Sequence, residues 1–339
     1  MIPKGPIFNT LRSLALEAIP DGIRVSPKEN NSLSNWFDKG SYNVAGINTS
    51  EMTIHADVQE LGTALLSDVE RLSNHALEQV QEMICFSNDT RIRSSGWNVV
   101  TIYYFAYFVA QGLLRLLGRP IFFLDRQRVR NLTNLFLKGK SALNAGTYLL
   151  LKKNQLSATQ AAYTLKLTKK KPHEATWLEL LGGLRKYVEN PLTSTNLSET
   201  LFYDSITTKN LFDEYRNYEW PSMVRNIANY RVGYAYKLVQ NVDVAATKKL
   251  WGRWETGTPN EMLKSTISLC VSGDKTKFRD QVWLLHDIAI SLFLVFLNIY
   301  QELVKRRNID NRWEVTRKQF FKRAIMDKDA TIKRLFDLK

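Results

Sequence analysis

The longest apolar run in the chain is Trp97 to Gly118, WNVVTIYYFAYFVAQGLLRLLG, without strand alternation and without an internal proline. A segment apolar on nearly every side reads as a long helix buried at the centre of a helical domain. Ser94 or Ser95 can cap its start, and Gly118 followed by Arg119-Pro120 stops it. Ala56 to Phe86 places Leu61, Leu65, Leu66, Val69, Leu72, Ala76, Val80, Met83 and Ile84 at helical spacing, which turns one face to that core. Leu211 to Leu238 supplies a further partner, with Trp220-Pro221 starting a new helix inside it. A later apolar stretch, Trp283 to Tyr300, holds His286, Asp287 and Asn298. Those polar residues suit a buried core helix better than a membrane span, which needs about 20 mostly apolar residues.

The remaining patterns fill in the architecture. Phe8 to Ala18 predicts a short helix, and the Ser, Asn and Gly-rich stretch Ser26 to Ser50 an irregular surface extension. Thr147 to Leu151 and Ala162 to Leu167 flank a turn-rich segment and predict a small hairpin. His173 to Val188 is a helix with Trp177, Leu180, Leu181 and Leu184 on its apolar face, ended by Asn190-Pro191. The expectation is a mainly α protein: an N-terminal extension over 1–50, a helical bundle over 51–245 with a hairpin inserted near 147–168, and basic C-terminal helices over 246–339.

Composition changes this picture chiefly through charge. The 339 residues are 44% hydrophobic and 24% charged, as in an ordinary globular protein able to bury a full core. The net charge of +14 favours polyanion partners, RNA or another nucleic acid first, through counterion release. Two basic clusters are the places for phosphate contacts: Lys169, Lys170 and Lys171 after the hairpin, and Lys305, Arg306, Arg307, Arg317 and Lys318 near the C-terminus. Cys85 and Cys270 sit beside apolar helical residues, as buried thiols of a reducing cytosol do. The first residues are too interrupted for a signal peptide, so a cytoplasmic protein without a membrane partner is expected. The four histidines, His55, His75, His173 and His286, show no metal spacing, and no GxxxxGK[ST] loop is present. No metal and no cofactor are therefore expected.

Two arginine motifs carry candidate chemistry. The first is Arg225-Asn226-Ile227-Ala228-Asn229-Tyr230, preceded far upstream by the tyrosine-rich run Tyr103-Tyr104-Phe105-Ala106-Tyr107-Phe108. The second is Arg279-Asp280, with His286 seven residues after the arginine and on the same side of a helix. An early helix rich in Tyr, Phe and Ala, and a later one with Arg, a polar residue and then His, resembles the HEPN superfamily of helical domains. That resemblance covers 56–238. It implies a helical bundle and, in active members, a metal-independent ribonuclease of toxin–antitoxin or antiviral systems. In that chemistry a 2′-hydroxyl attacks the adjacent phosphate, a histidine moves protons and an arginine stabilises the developing charge. It also implies a site composite across a homodimer.

Tyr230 stands where the family has histidine, and a phenol of pKa near 10 is a poor base at neutral pH. Non-nucleolytic members carry tyrosine after the arginine as well. The expected function is thus RNA-directed action in bacterial defence, by a metal-independent endoribonuclease or by an RNA-binding remnant of one, with a defence-system protein as a further partner. The site would use Arg225, Asn226 and Tyr230, or Arg279 and His286. The alternative is a non-catalytic scaffold or regulatory subunit that holds a partner through its basic surface.

Overall fold

A computed structural model describes residues 4–23, 25, 31–88, 95–136, 143–193, 195–207, 218–230, 278–306 and 315. In chain order the elements are α1 (Pro6–Ala18), α2 (Leu33–Lys39), β1 (Tyr42–Ile47), β2 (Glu51–Asp57), α3 (Val58–Asn88), α4 (Ser95–Leu116), β3 (Ile121–Leu124), α5 (Arg126–Phe136), β4 (Gly146–Gln155), β5 (Gln160–Leu167), α6 (Pro172–Glu189), α7 (Leu197–Thr207), α8 (Trp220–Tyr230) and α9 (Phe278–Lys305).

The mainly α expectation is corrected by the sheet. The hairpin foreseen near 147–168 exists as β4 and β5, but it forms the middle of a five-stranded antiparallel sheet of order β1-β2-β5-β4-β3. The extra strands have physical causes. β2 alternates strictly, burying Met52, Ile54 and Ala56 on one face, so Ala56 belongs to a strand that ends at Asp57 and the helix starts only at Val58. β1 has little apolar signal of its own. It is held by pairing with β2, with a register shift between Val44 and Gly46, inside the stretch expected to be irregular. The four residues of β3 pair along β4 from Ile121 opposite Leu149 to Leu124 opposite Gly146.

Two cores follow. The sheet lays Met52, Ile54, Tyr148, Leu150, Tyr163 and Leu165 against Trp36 and Phe37 of α2, the start of α3, and Val129 and Leu132 of α5. The larger core gathers α1, α3, α4, α6, α7, α8 and α9, and α3 contributes to both. α4 is central to it, with Tyr103, Phe105, Ala106, Val109 and Ala110 at most 2% exposed. At Gly112 a methyl group would lie 3.0 Å from the Phe296 ring, so α4 and α9 pack closely there. α4 ends where foreseen. Gly118 has φ 68°, and the Arg119 amide reaches back to the Leu114 carbonyl at 2.8 Å. α4 and α9 are both long and apolar enough to cross a membrane by length and composition, and 78% and 83% of their apolar windows are buried within the protein.

α1 is fastened from far along the chain. Glu199 of α7, 0% exposed, accepts hydrogen bonds from the Ile7 amide at 3.1 Å and the Phe8 amide at 2.7 Å. Pro6 fills the first helical position, where an amide hydrogen would have no partner. A side chain at residue 5 would run into the Glu199 carboxylate, so the approach requires Gly5. Arg12 pairs with Glu302 of α9 at 2.7 Å.

Candidate functional site

α4, α6 and α8 meet at a cluster that joins residues from three parts of the sequence. On α4, Tyr103 and Tyr107 are one turn apart and share a face, while Tyr104 and Phe108 line the adjoining face. On α6, Lys171 is the N-cap without a side-chain cap, Pro172 takes the first position, and His173 falls in the first turn. On α8, Ser222 and Arg225 are three residues apart and point to the same side.

His173 is the centre of this arrangement. Its ring stacks on Tyr107 with centroids 4.2 Å apart and planes at 24°. Its Nδ1 lies 2.8 Å from the Tyr103 hydroxyl. That hydroxyl also accepts from Trp177 Nε1 at 3.3 Å and sits 3.3 Å from Ser222 Oγ. Arg225 holds its guanidinium carbon 5.9 Å from the ring centroids of both Tyr103 and Tyr104. Its terminal nitrogens reach Asn226 Oδ1 at 3.0 Å and the Tyr104 hydroxyl at 3.4 Å. His173, Tyr104 and Arg225 are partly exposed and Asn226 is exposed, whereas Tyr103 is fully buried.

The electrostatics follow from burial and from one cation. Burial first, and then the Arg225 charge, push the His173 imidazole down to about 4, so it is neutral at pH 7. Burial raises the Tyr103 and Tyr107 hydroxyls above the usual phenol range, and both remain protonated. Beneath Tyr107 runs a buried polar chain. Gln111 donates to the Tyr107 hydroxyl at 3.2 Å and also to Thr176 of α6. Arg115 donates to Gln111 and, through Nε, to Asp68 of α3 at 2.7 Å. Burial alone would raise the Asp68 carboxyl. The Arg115 and Arg71 guanidiniums outweigh it and hold the group below the ordinary carboxylate range.

A basic rim borders the cluster. Lys169 and Lys171 are exposed immediately before α6, and Lys170 Nζ pairs with Glu219 Oε1, at the entry to α8, at 2.6 Å. The uncapped start of α6, its lysines and Arg225 together suit an anion.

The structure thus joins two sequence-derived groups, Arg225 with Asn226 and the lysines 169–171, around a histidine that motif reasoning passed over. The signal for His173 lies in Lys169-Lys170-Lys171-Pro172-His173, because a proline at the first helical position places the next residue in the first turn. The other candidates lie elsewhere. Tyr230 ends α8, and its side chain lies outside the described residues, as does that of Arg279 at the start of α9. His286 is 2% exposed inside the core, with Nδ1 3.3 Å from Asp287 Oδ1. Lys305 and Arg306 are exposed at the end of α9, and Arg306 bonds Asp21 at 3.0 Å. Arg307, Arg317, Lys318 and Cys270 lie outside the described residues.

Among the described residues no group of three or more His, Cys, Asp or Glu side chains comes together as a metal site. A cavity of about 270 Å³ opens between α1, α3, the end of α4 and β4, where Lys152 is already matched to Glu17 at 2.7 Å and Arg119 to Glu179 at 2.5 Å. Comparison with protein families, curated proteins and solved structures finds no match for the chain.

Proposed function

We propose that this chain binds RNA through the face where α6 meets α8, with a phosphate held between Arg225, the start of α6 and the adjoining lysines. The observation that carries the reading is the convergence of Arg225 and His173 on one partly exposed aromatic cluster, with Lys169–Lys171 just before His173 in the chain. The net charge of +14 supports a polyanion as partner, and Tyr104 is a partly exposed aromatic residue beside Arg225. The HEPN resemblance supplies the setting, RNA-directed action in a bacterial antiviral or toxin–antitoxin system, and a homodimer as the assembly.

Cleavage is the second reading, and the specific observation for it is the imidazole beside a guanidinium. A 2′-hydroxyl attack on phosphorus needs a proton acceptor and a cation for the developing charge, and His173 and Arg225 are groups of those two kinds. Incubation of the purified chain with RNA in EDTA separates the readings. Binding without new ends supports the first. Ends bearing 2′,3′-cyclic phosphate, lost in Arg225→Ala, support the second. No binding and no cutting would leave the chain as a scaffold for a protein partner.

A further inference from the structure

The His173 ring has one committed nitrogen. Nδ1 faces the Tyr103 hydroxyl at 2.8 Å, and Nε2 is engaged by no described residue. The direction of the Nδ1 bond decides what Nε2 carries, and the distances and basicities around Tyr103 favour one direction. Trp177 Nε1–H can only donate, so its 3.3 Å bond delivers a proton toward the Tyr103 oxygen. Tyr103 has a single proton and two acceptors in reach, His173 Nδ1 at 2.8 Å and Ser222 Oγ at 3.3 Å. The imidazole nitrogen is both the nearer and the more basic. Ser222 can turn its own proton toward the Tyr103 oxygen, which then accepts two hydrogen bonds and donates one, its full capacity. With Nδ1 accepting, a neutral imidazole keeps its proton on Nε2.

We propose that Tyr103 is a positioning residue that holds His173 as the Nε2–H tautomer, so that His173 offers an RNA phosphate a hydrogen-bond donor beside Arg225 and does not serve as a general base. This rests on the RNA-binding reading above and sharpens it. A phosphate oxygen has lone pairs to accept the Nε2 proton, whereas a 2′-hydroxyl would find no lone pair on Nε2 to take its proton. The site then holds a phosphodiester without cutting it. Ser222 makes the arrangement depend on α8, because the same hydroxyl network spans His173 of α6, Tyr103 of α4 and the helix that carries Arg225.

The test reads the imidazole directly. Full-length protein labelled with ¹⁵N at histidine is examined by NMR at pH 7.5 without RNA, with His173 assigned by its loss in His173→Gln. The expected result is a pyridine-type Nδ1 and a pyrrole-type Nε2, shifting to a tautomer mixture in Tyr103→Phe. A pyridine-type Nε2 of His173 in the parent overturns the proposal. Binding of a single-stranded RNA oligonucleotide supplies the second arm. His173→Gln keeps an N–H donor and is expected within about threefold of the parent, while His173→Ala weakens binding about tenfold. Equal losses in the two variants, with melting unchanged, overturn the donor role. A parent with the expected tautomer that binds no RNA would refute the RNA reading while leaving the positioning role of Tyr103 intact.

Discussion

The buried Asp68–Arg115 pair allows a stability experiment whose outcome can be worked out in advance. Both side chains are less than a tenth exposed, at 4% and 7%, and their bond is 2.7 Å long. Asp68→Leu leaves the Arg115 guanidinium buried with the Gln111 oxygens as its remaining described partners. Breaking a buried pair from one side costs about 3–5 kcal/mol, because an uncompensated charge stays in the interior. Arg115→Met leaves the Asp68 carboxylate with Arg71, which lies at 3.2 Å and is 55% exposed, so its cost falls toward the lower end of about 3 kcal/mol. The double variant removes both charges and strands only the Gln111 side-chain oxygen, at about 1–3 kcal/mol. The cycle is therefore strongly non-additive, with the double variant no worse than either single one. Urea unfolding at pH 7, followed by far-UV circular dichroism and extrapolated at constant m-value, measures all four corners. Single variants within about 1 kcal/mol of the parent, or a double variant equal to their sum, would show that the charges are not coupled as the geometry requires.

Other outcomes follow from the same structure. His173, held neutral down to about 4 against 6.5 when unfolded, binds fewer protons in the fold than in the unfolded chain between those values. Its contribution to stability is whole above pH 6.5 and is lost as pH falls toward 4. His173→Gln should flatten the pH dependence of unfolding in that window, and an unchanged profile would deny the burial. Glu199→Gln should cost about 1.5–3 kcal/mol in urea unfolding, since two charge-assisted bonds to the Ile7 and Phe8 amides become at best one neutral bond. Arg225→Ala should weaken RNA binding about 10- to 100-fold in a filter assay with melting unchanged, and retention of full affinity would remove Arg225 from the interface. Replacing Lys169, Lys170 and Lys171 by Ser should reduce the slope of log affinity against log salt by about 2 for a single strand. An identical slope would assign those lysines to a solvated edge.

What the sequence made legible depended on how local the cause was. α4 and α9 are readable because apolar residues on every side admit no placement but the interior, and the stop at Gly118 because only the left-handed conformation closes that turn. The hairpin of β4 and β5 carries its own alternation. β2 also alternates, through Met52, Ile54 and Ala56, but it runs straight into the helical spacing of α3, and a helical period extended backward absorbs its last two residues. β1 has no comparable local signal; its strand state comes from the edge of β2. At the site, Arg225 and the lysines stand out by residue type, yet nothing local says they share a face. That comes from the packing of α6 and α8 on α4. His173 has the weakest signal of all, one proline and a basic run, because its surroundings are supplied by tyrosines 66 to 70 positions earlier.

The fastening of α1 has a consequence for how the chain is made. Its amides wait for a carboxylate 192 residues away, and Arg12 for a partner 290 residues away. On a ribosome adding about 5–20 residues per second, Glu302 emerges roughly 15–60 s after Arg12. Throughout that interval Arg12 lacks its ion pair to α9, and for the first 192 residues the Ile7 amide lacks the Glu199 carboxylate. α1 is therefore made early and fastened late, because the carboxylates that hold its amides and Arg12 follow by 192 and 290 residues, and until then the nascent chain offers chaperones an unfastened amphipathic segment.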